Sequence, residues 1–107
     1  MKIAVSSTGG SANAKVSEQF GRCAYFLIVD SETKGFEPIL NDAAGMAGGA
    51  GPSAAKQIEN AGAEVVLTGS VGPNADSALK SAGIKIVTGI SGTLTVKQAV
   101  EQYLGKK

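Results

Sequence analysis

Between residues 52 and 104 the apolar residues change period repeatedly, and this alternation restricts the possible folds more than any other feature of the chain. Ala54, Ala55, Ile58 and Ala61 fall on one helical face, with Gly51-Pro52 before them and Gly62 after. Val65-Val66-Leu67 follows as a continuous apolar run. A second helical stripe, Ala75, Ala78, Leu79 and Ala82, lies between Pro73 and Gly83 and leads into Ile84-Lys85-Ile86-Val87. Val96, Ala99, Val100, Tyr103 and Leu104 complete the pattern at i, i+3, i+4, i+7 and i+8, the most regular amphipathic stripe in the chain. Pro at a helix start and Gly just past its end are the expected punctuation. Short apolar runs alternating with helices bury themselves as parallel strands joined by right-handed crossovers. The spacing predicts helices near 52–61, 74–82 and 95–104, and strands near 64–68 and 84–87.

The first half reads differently. Ile3-Ala4-Val5 is a short apolar run ending in Ser6-Ser7-Thr8-Gly9-Gly10, a strand with its turn near 2–6. The run from Ala24 to Val29 is rich in β-branched and aromatic residues and predicts a buried strand over 24–30. A polar turn separates it from a hairpin partner over 36–40, where Pro38 predicts an edge position. Ala61 to Gly69 and Ala82 to Gly89 echo one another, each ending a helix, running a strand and stopping at Thr-Gly. Two copies make neighbouring strands of one sheet rather than a solenoid. Residues 1–107 are thus expected to form one α/β domain.

Composition narrows the chemistry. The chain has no histidine, which removes Ser-His-Asp and Cys-His catalysis and histidine-ligated zinc. Its single cysteine, Cys23, cannot form an intrachain disulfide or a cysteine-only metal site. Ten basic residues against nine acidic ones, with Arg22 the one arginine, disfavour a nucleic-acid surface. No apolar run is long enough to span a membrane, and Met1 to Val5 is too short for a signal-peptide core, so a cytoplasmic protein is expected.

Three loops follow strands expected to be parallel: 6–10, 69–74 and 89–93. Ligands of open α/β sheets bind beyond the carboxyl ends of strands, where loops that feed helix N-termini attract anions. The same glycines equally serve as turn formers, and the Ser and Thr residues as helix caps. No phosphate-loop or dinucleotide fingerprint is present. In Gln19-Phe20-Gly21-Arg22-Cys23 a thiol adjoins an arginine, which suits a soft metal ligand; a small buried thiol at a strand start is the other reading. Asn41 to Gly51 holds four glycines and little apolar area, so it is expected to be the most mobile internal stretch.

Taken together, MKIAV, SEQFGRCAYFLIVD, GGAGPSAAK, AGAEVVLTGSVGPNADSALKSAGIKIV and the closing helix resemble the dinitrogenase iron–molybdenum cofactor biosynthesis family, of the NifX, NafY and NifB carboxyl-terminal type. The resemblance covers nearly the whole chain. It implies a three-layer ribonuclease-H-like fold, a five-stranded mixed sheet flanked by helices. It also implies binding or carriage of iron–sulfur or iron–molybdenum cluster precursors rather than catalysis. Cofactor-binding members commonly carry a histidine directly before Phe-Gly; here that position is Gln19, whose amide is a poor ligand for a soft cluster. The expected site therefore has Cys23 as metal ligand, Arg22 beside it, and Gly9, Gly10, Gly48, Gly49, Gly72 and Gly92 shaping a pocket. The expected protein is a non-enzymatic carrier, monomeric or weakly dimeric, meeting a cluster-biosynthesis or acceptor protein. The alternative is a cofactor-free regulatory or interaction module of the same fold.

Overall fold

The computed structural model describes residues 1–105. Its elements run β1 (Lys2–Ser7), β2 (Tyr25–Asp30), β3 (Phe36–Leu40), α1 (Ala50–Asn60), β4 (Val65–Leu67), α2 (Pro73–Ser81), β5 (Lys85–Val87) and α3 (Val96–Leu104). Every predicted element is present, each boundary within two residues of its expected place. The strands form one mixed sheet in the order β3-β2-β1-β4-β5. β2 runs antiparallel to β1 and β3, while β1, β4 and β5 are mutually parallel. Pro38 does occupy an edge strand, where its missing N–H leaves no gap inside the sheet.

Alternation along the strands creates two cores. Ala4, Phe26, Ile28 and Val66 face α1 and α2, packing with Ala54, Ala55, Ile58, Ala75 and Leu79. Ile3, Val5, Leu27, Val29, Val65 and Leu67 face the other way, against Val96, Ala99 and Val100 of α3. The period of two sends successive residues of each strand to opposite faces, so an unbroken apolar run is what a strand buried on both faces requires. The small Ala-rich helix faces let α1 and α2 lie close to the sheet and to each other.

Topology then places the loops. The crossovers β3-α1-β4 and β4-α2-β5 travel the same way across the sheet, so right-handedness puts both helices on one face. The carboxyl ends of β1, β3, β4 and β5 share one edge, and the first turns of α1 and α2 meet there.

Candidate functional site

The segment from Phe20 to Cys23 turns in and out of the protein residue by residue. Phe20 is buried against Phe26, ring centroids 5.1 Å apart, and anchors the segment in the core. Gly21 passes so close to α1 that an added Cβ would stand 3.2 Å from the Gly51 backbone. Arg22 emerges exposed, and its Nη1 donates to the carbonyls of Ala44 at 3.0 Å and Met46 at 2.5 Å. Cys23 turns back inside.

Beside Arg22 is a small cleft of about 240 Å³ between the first turns of the two helices, lined by Gly49, Gly51, Gly72 and Asn74 among others. The cleft is narrow because Gly51 lacks a side chain: a Cβ there would approach that of Ala75 to 2.8 Å. Gly49 and Gly72 stand at the N-caps of α1 and α2, so neither helix has a side-chain cap. The N–H groups of Ala50, Gly51, Asn74 and Ala75 find no acceptor among the described residues. By contrast α3, remote from the cleft, is closed by a complete capping box of Thr95 and Gln98. Among the described residues Arg22 is the one charged side chain lining the cleft. Asp76 in the first turn of α2 pairs with Lys80 at 3.0 Å and does not line the cleft, so two open helix N-termini and a guanidinium face it, an arrangement that suits an anion.

The expected site residues do not all meet. Arg22, Gly49 and Gly72 converge on the cleft, and Gly48 lies exposed in the loop just before it. Gly9 and Gly10 sit elsewhere, Gly10 lying over Tyr25 and Pro38. Gly92 belongs to a third place, where its N–H donates to Glu18 Oε2 at 2.6 Å. The three loops share an edge but spread along it, because neighbouring strands of a sheet stand about 4.8 Å apart.

Cys23 lies apart from all three places. It is 2% exposed, donates from Sγ to the Phe20 carbonyl at 3.3 Å, and belongs to the core beneath α1 and α2. Burial pushes its thiol up to about 11, so it is protonated at neutral pH and is no thiolate ligand in this conformation. Among the described residues no three His, Cys, Asp or Glu side chains come together to hold a metal ion. Gln19 is exposed and its backbone bridges to Ser70 beyond the end of β4. Gly21, Gly51 and Asn74 were not among the expected site residues. Their signal is the pair Gly51-Pro52 and Gly72-Pro73, the same dipeptide at two helix starts.

The sequence profile described as dinitrogenase iron–molybdenum cofactor matches residues 1–106. The chain belongs to the dinitrogenase iron–molybdenum cofactor family. Solved structures agree with that membership. The apo form of the orange protein from Desulfovibrio gigas is 42% identical over 97% of this chain and 87% of its own, with a TM-score of 0.93. A Thermotoga protein provisionally named NifB, of the DUF35 family, is 31% identical over 98% of this chain and 88% of its own, at 0.84. A Methanocaldococcus jannaschii protein provisionally described as a dinitrogenase, 21% identical over 98% of this chain and 88% of its own, shares the fold at 0.71. No curated protein matches the chain. Membership in the dinitrogenase iron–molybdenum cofactor family associates this chain with the biosynthesis or binding of that cofactor.

Proposed function

We propose that this protein is a non-catalytic carrier of a preassembled metal–sulfur cluster or cluster precursor, held in the cleft between α1 and α2. The observation that carries the reading is the pairing of two uncapped, glycine-started helix N-termini with Arg22 in a cleft that no carboxylate lines among the described residues, Asp76 of α2 being turned to Lys80. Metal–sulfur clusters are anions whose sulfur atoms accept hydrogen bonds, and backbone N–H groups with a guanidinium match that surface. The donor set does not suit a bare metal ion, because no cluster of ligating side chains is present among the described residues. Cargo held by hydrogen bonds and charge, rather than by coordination, can be released intact, which a carrier requires. Arg22 would exchange its two neutral carbonyl acceptors for the anionic cargo.

The test is anaerobic addition of a thiolate-capped iron–sulfur cluster, followed by desalting, metal analysis and a visible spectrum. Wild-type protein is expected to retain iron. Arg22→Ala should weaken retention at least tenfold, the loss of a hydrogen bond to a charged group being about 1.5–3 kcal/mol. Cys23→Ala should retain as much as wild type. Loss of iron by Cys23→Ala alone would restore the thiolate as the ligand. No retention by wild type would overturn the carrier reading in favour of a cofactor-free interaction module.

A further inference from the structure

A concavity of about 850 Å³ lies on the face of the sheet opposite the cleft. It arises from a shortage of helix. Among the described residues two helices cover one face, whereas α3 is the one helix on the other, packed over β1. Five strands at about 4.8 Å make a sheet roughly 20 Å wide, and a helix with its side chains is about 10–12 Å thick. One helix therefore leaves a vacant berth beside it, above β2 and β3.

The lining has the character of a helix seat. Its floor is Val29 of β2 and Phe36 of β3. Its wall is Lys97, Val100, Glu101 and Leu104 of α3, at i, i+3, i+4 and i+7, the spacing by which one helix meets another. Further along β3, Pro38 and Leu40 share the sheet face of Phe36, and Leu40 is 59% exposed. Lys34 and Lys97 outnumber Glu101 among the charged lining residues, and none of the three forms an ion pair among the described residues, so the groove carries a net positive charge.

We propose that this groove seats an amphipathic helix of a partner protein, its apolar stripe on Phe36, Val100 and Leu104 and acidic residues beside Lys34 and Lys97. A second copy of this chain does not supply such a helix. Its three helices turn polar residues outward: Lys56 and Glu59 on α1, Ser77 and Lys80 on α2, Gln98 and Gln102 on α3. A partner docked there would leave the cleft on the other face open. The groove stands independently of what that cleft holds.

The probe is a synthetic four-turn helical peptide with a leucine stripe flanked by glutamates, titrated into the full-length chain and followed by amide chemical shifts. Shifts are expected around residues 29, 34–36 and 97–104, and not at 21–22 or 49–51. Reversing both lysines, Lys34→Glu with Lys97→Glu, should weaken this peptide about tenfold and favour its lysine-flanked counterpart, since two attractive exposed pairs become repulsive. Absence of shifts at millimolar peptide, or shifts elsewhere, overturns the proposal. Equal binding of the lysine-flanked peptide overturns the acidic partner. Concentration-dependent dimerisation of the chain alone that shifts the same amides would assign the groove to a second copy instead.

Discussion

The Cys23 thiol is held by the Phe20 carbonyl on one side and approached by Asn41 Nδ2 at 3.7 Å on the other, all within the core. Burial raises its pKa from 9.0 to about 11 because the thiolate would lose its hydration. Between those values the unfolded chain has lost the proton and the folded chain keeps it, so the native state binds more protons. Stability is then full below pH 9 and falls as pH rises toward 11, by on the order of 2–3 kcal/mol in all. Urea unfolding at pH 8 and pH 10.5 should show this loss in wild type and a smaller one in Cys23→Ala, whose cavity is a constant offset. Equal pH dependence in both proteins would mean that the thiol does not titrate as described. Arg22, the preceding residue, has the opposite fate, exposed and linking the cleft to the loop behind it.

At the scale of elements, the cleft depends on how closely α1 and α2 begin. Gly51→Ala would put a Cβ 2.8 Å from that of Ala75, so the two first turns must part. Overpacking of this kind is worth about 1–3 kcal/mol, and a lower thermal midpoint with weaker cluster retention is expected. Thr95→Ala should remove about 1 kcal/mol by opening the capping box of α3, with cluster retention unchanged, because α3 does not line the cleft. The glycine-rich segment 41–51, expected to be the most mobile internal stretch, is hydrogen-bonded unevenly. Asn41 donates to the carbonyls of Gly21 and Cys23 and accepts from the Ala43 N–H, Ala43 is fully buried, and Arg22 grips the carbonyls of Ala44 and Met46. Ala47 and Gly48 make no hydrogen bond among the described residues. Backbone relaxation should therefore give strand-like order at 41–44 and a drop at 47–48. Uniform disorder from 41 onward would show that Arg22 and Asn41 do not hold the segment.

For the whole molecule the decisive fact is that one sheet has two unequal faces. The doubly covered face brings two helix N-termini together at the carboxyl edge, and the singly covered face keeps a groove over β2 and β3. β1 lies at the centre with Ile3 to Ser7 buried on both sides, whereas β3 is an edge with Glu37, Pro38 and Leu40 exposed. Amide exchange should accordingly be slowest in β1 and approach that of global unfolding, and should be orders of magnitude faster at the outward amides of β3. Comparable protection in the two strands would point to an association that covers the β3 edge.

Apolar period, Gly-Pro punctuation and the Pro38 edge signal are local, and local rules were sufficient to place all eight elements and the parallel half of the sheet. Family motifs spread over the chain carried the mixed architecture. What residues do to one another across long separations was not legible. Arg22 meets carbonyls 22 and 24 residues away, Gly21 packs on Gly51, and Gly51 packs on Ala75. Those contacts exist only once two right-handed crossovers have laid α1 and α2 side by side. Cys23 shows the same division. Its identity as the one soft, ionisable ligand follows from composition, but whether that thiol faces solvent or core is set by the turn at Gly21 and by Phe20 anchoring against Phe26. Tertiary packing, not residue type, decided that the thiol is buried and the arginine beside it lines the cleft, because only packing determines which side of a short loop loses its water.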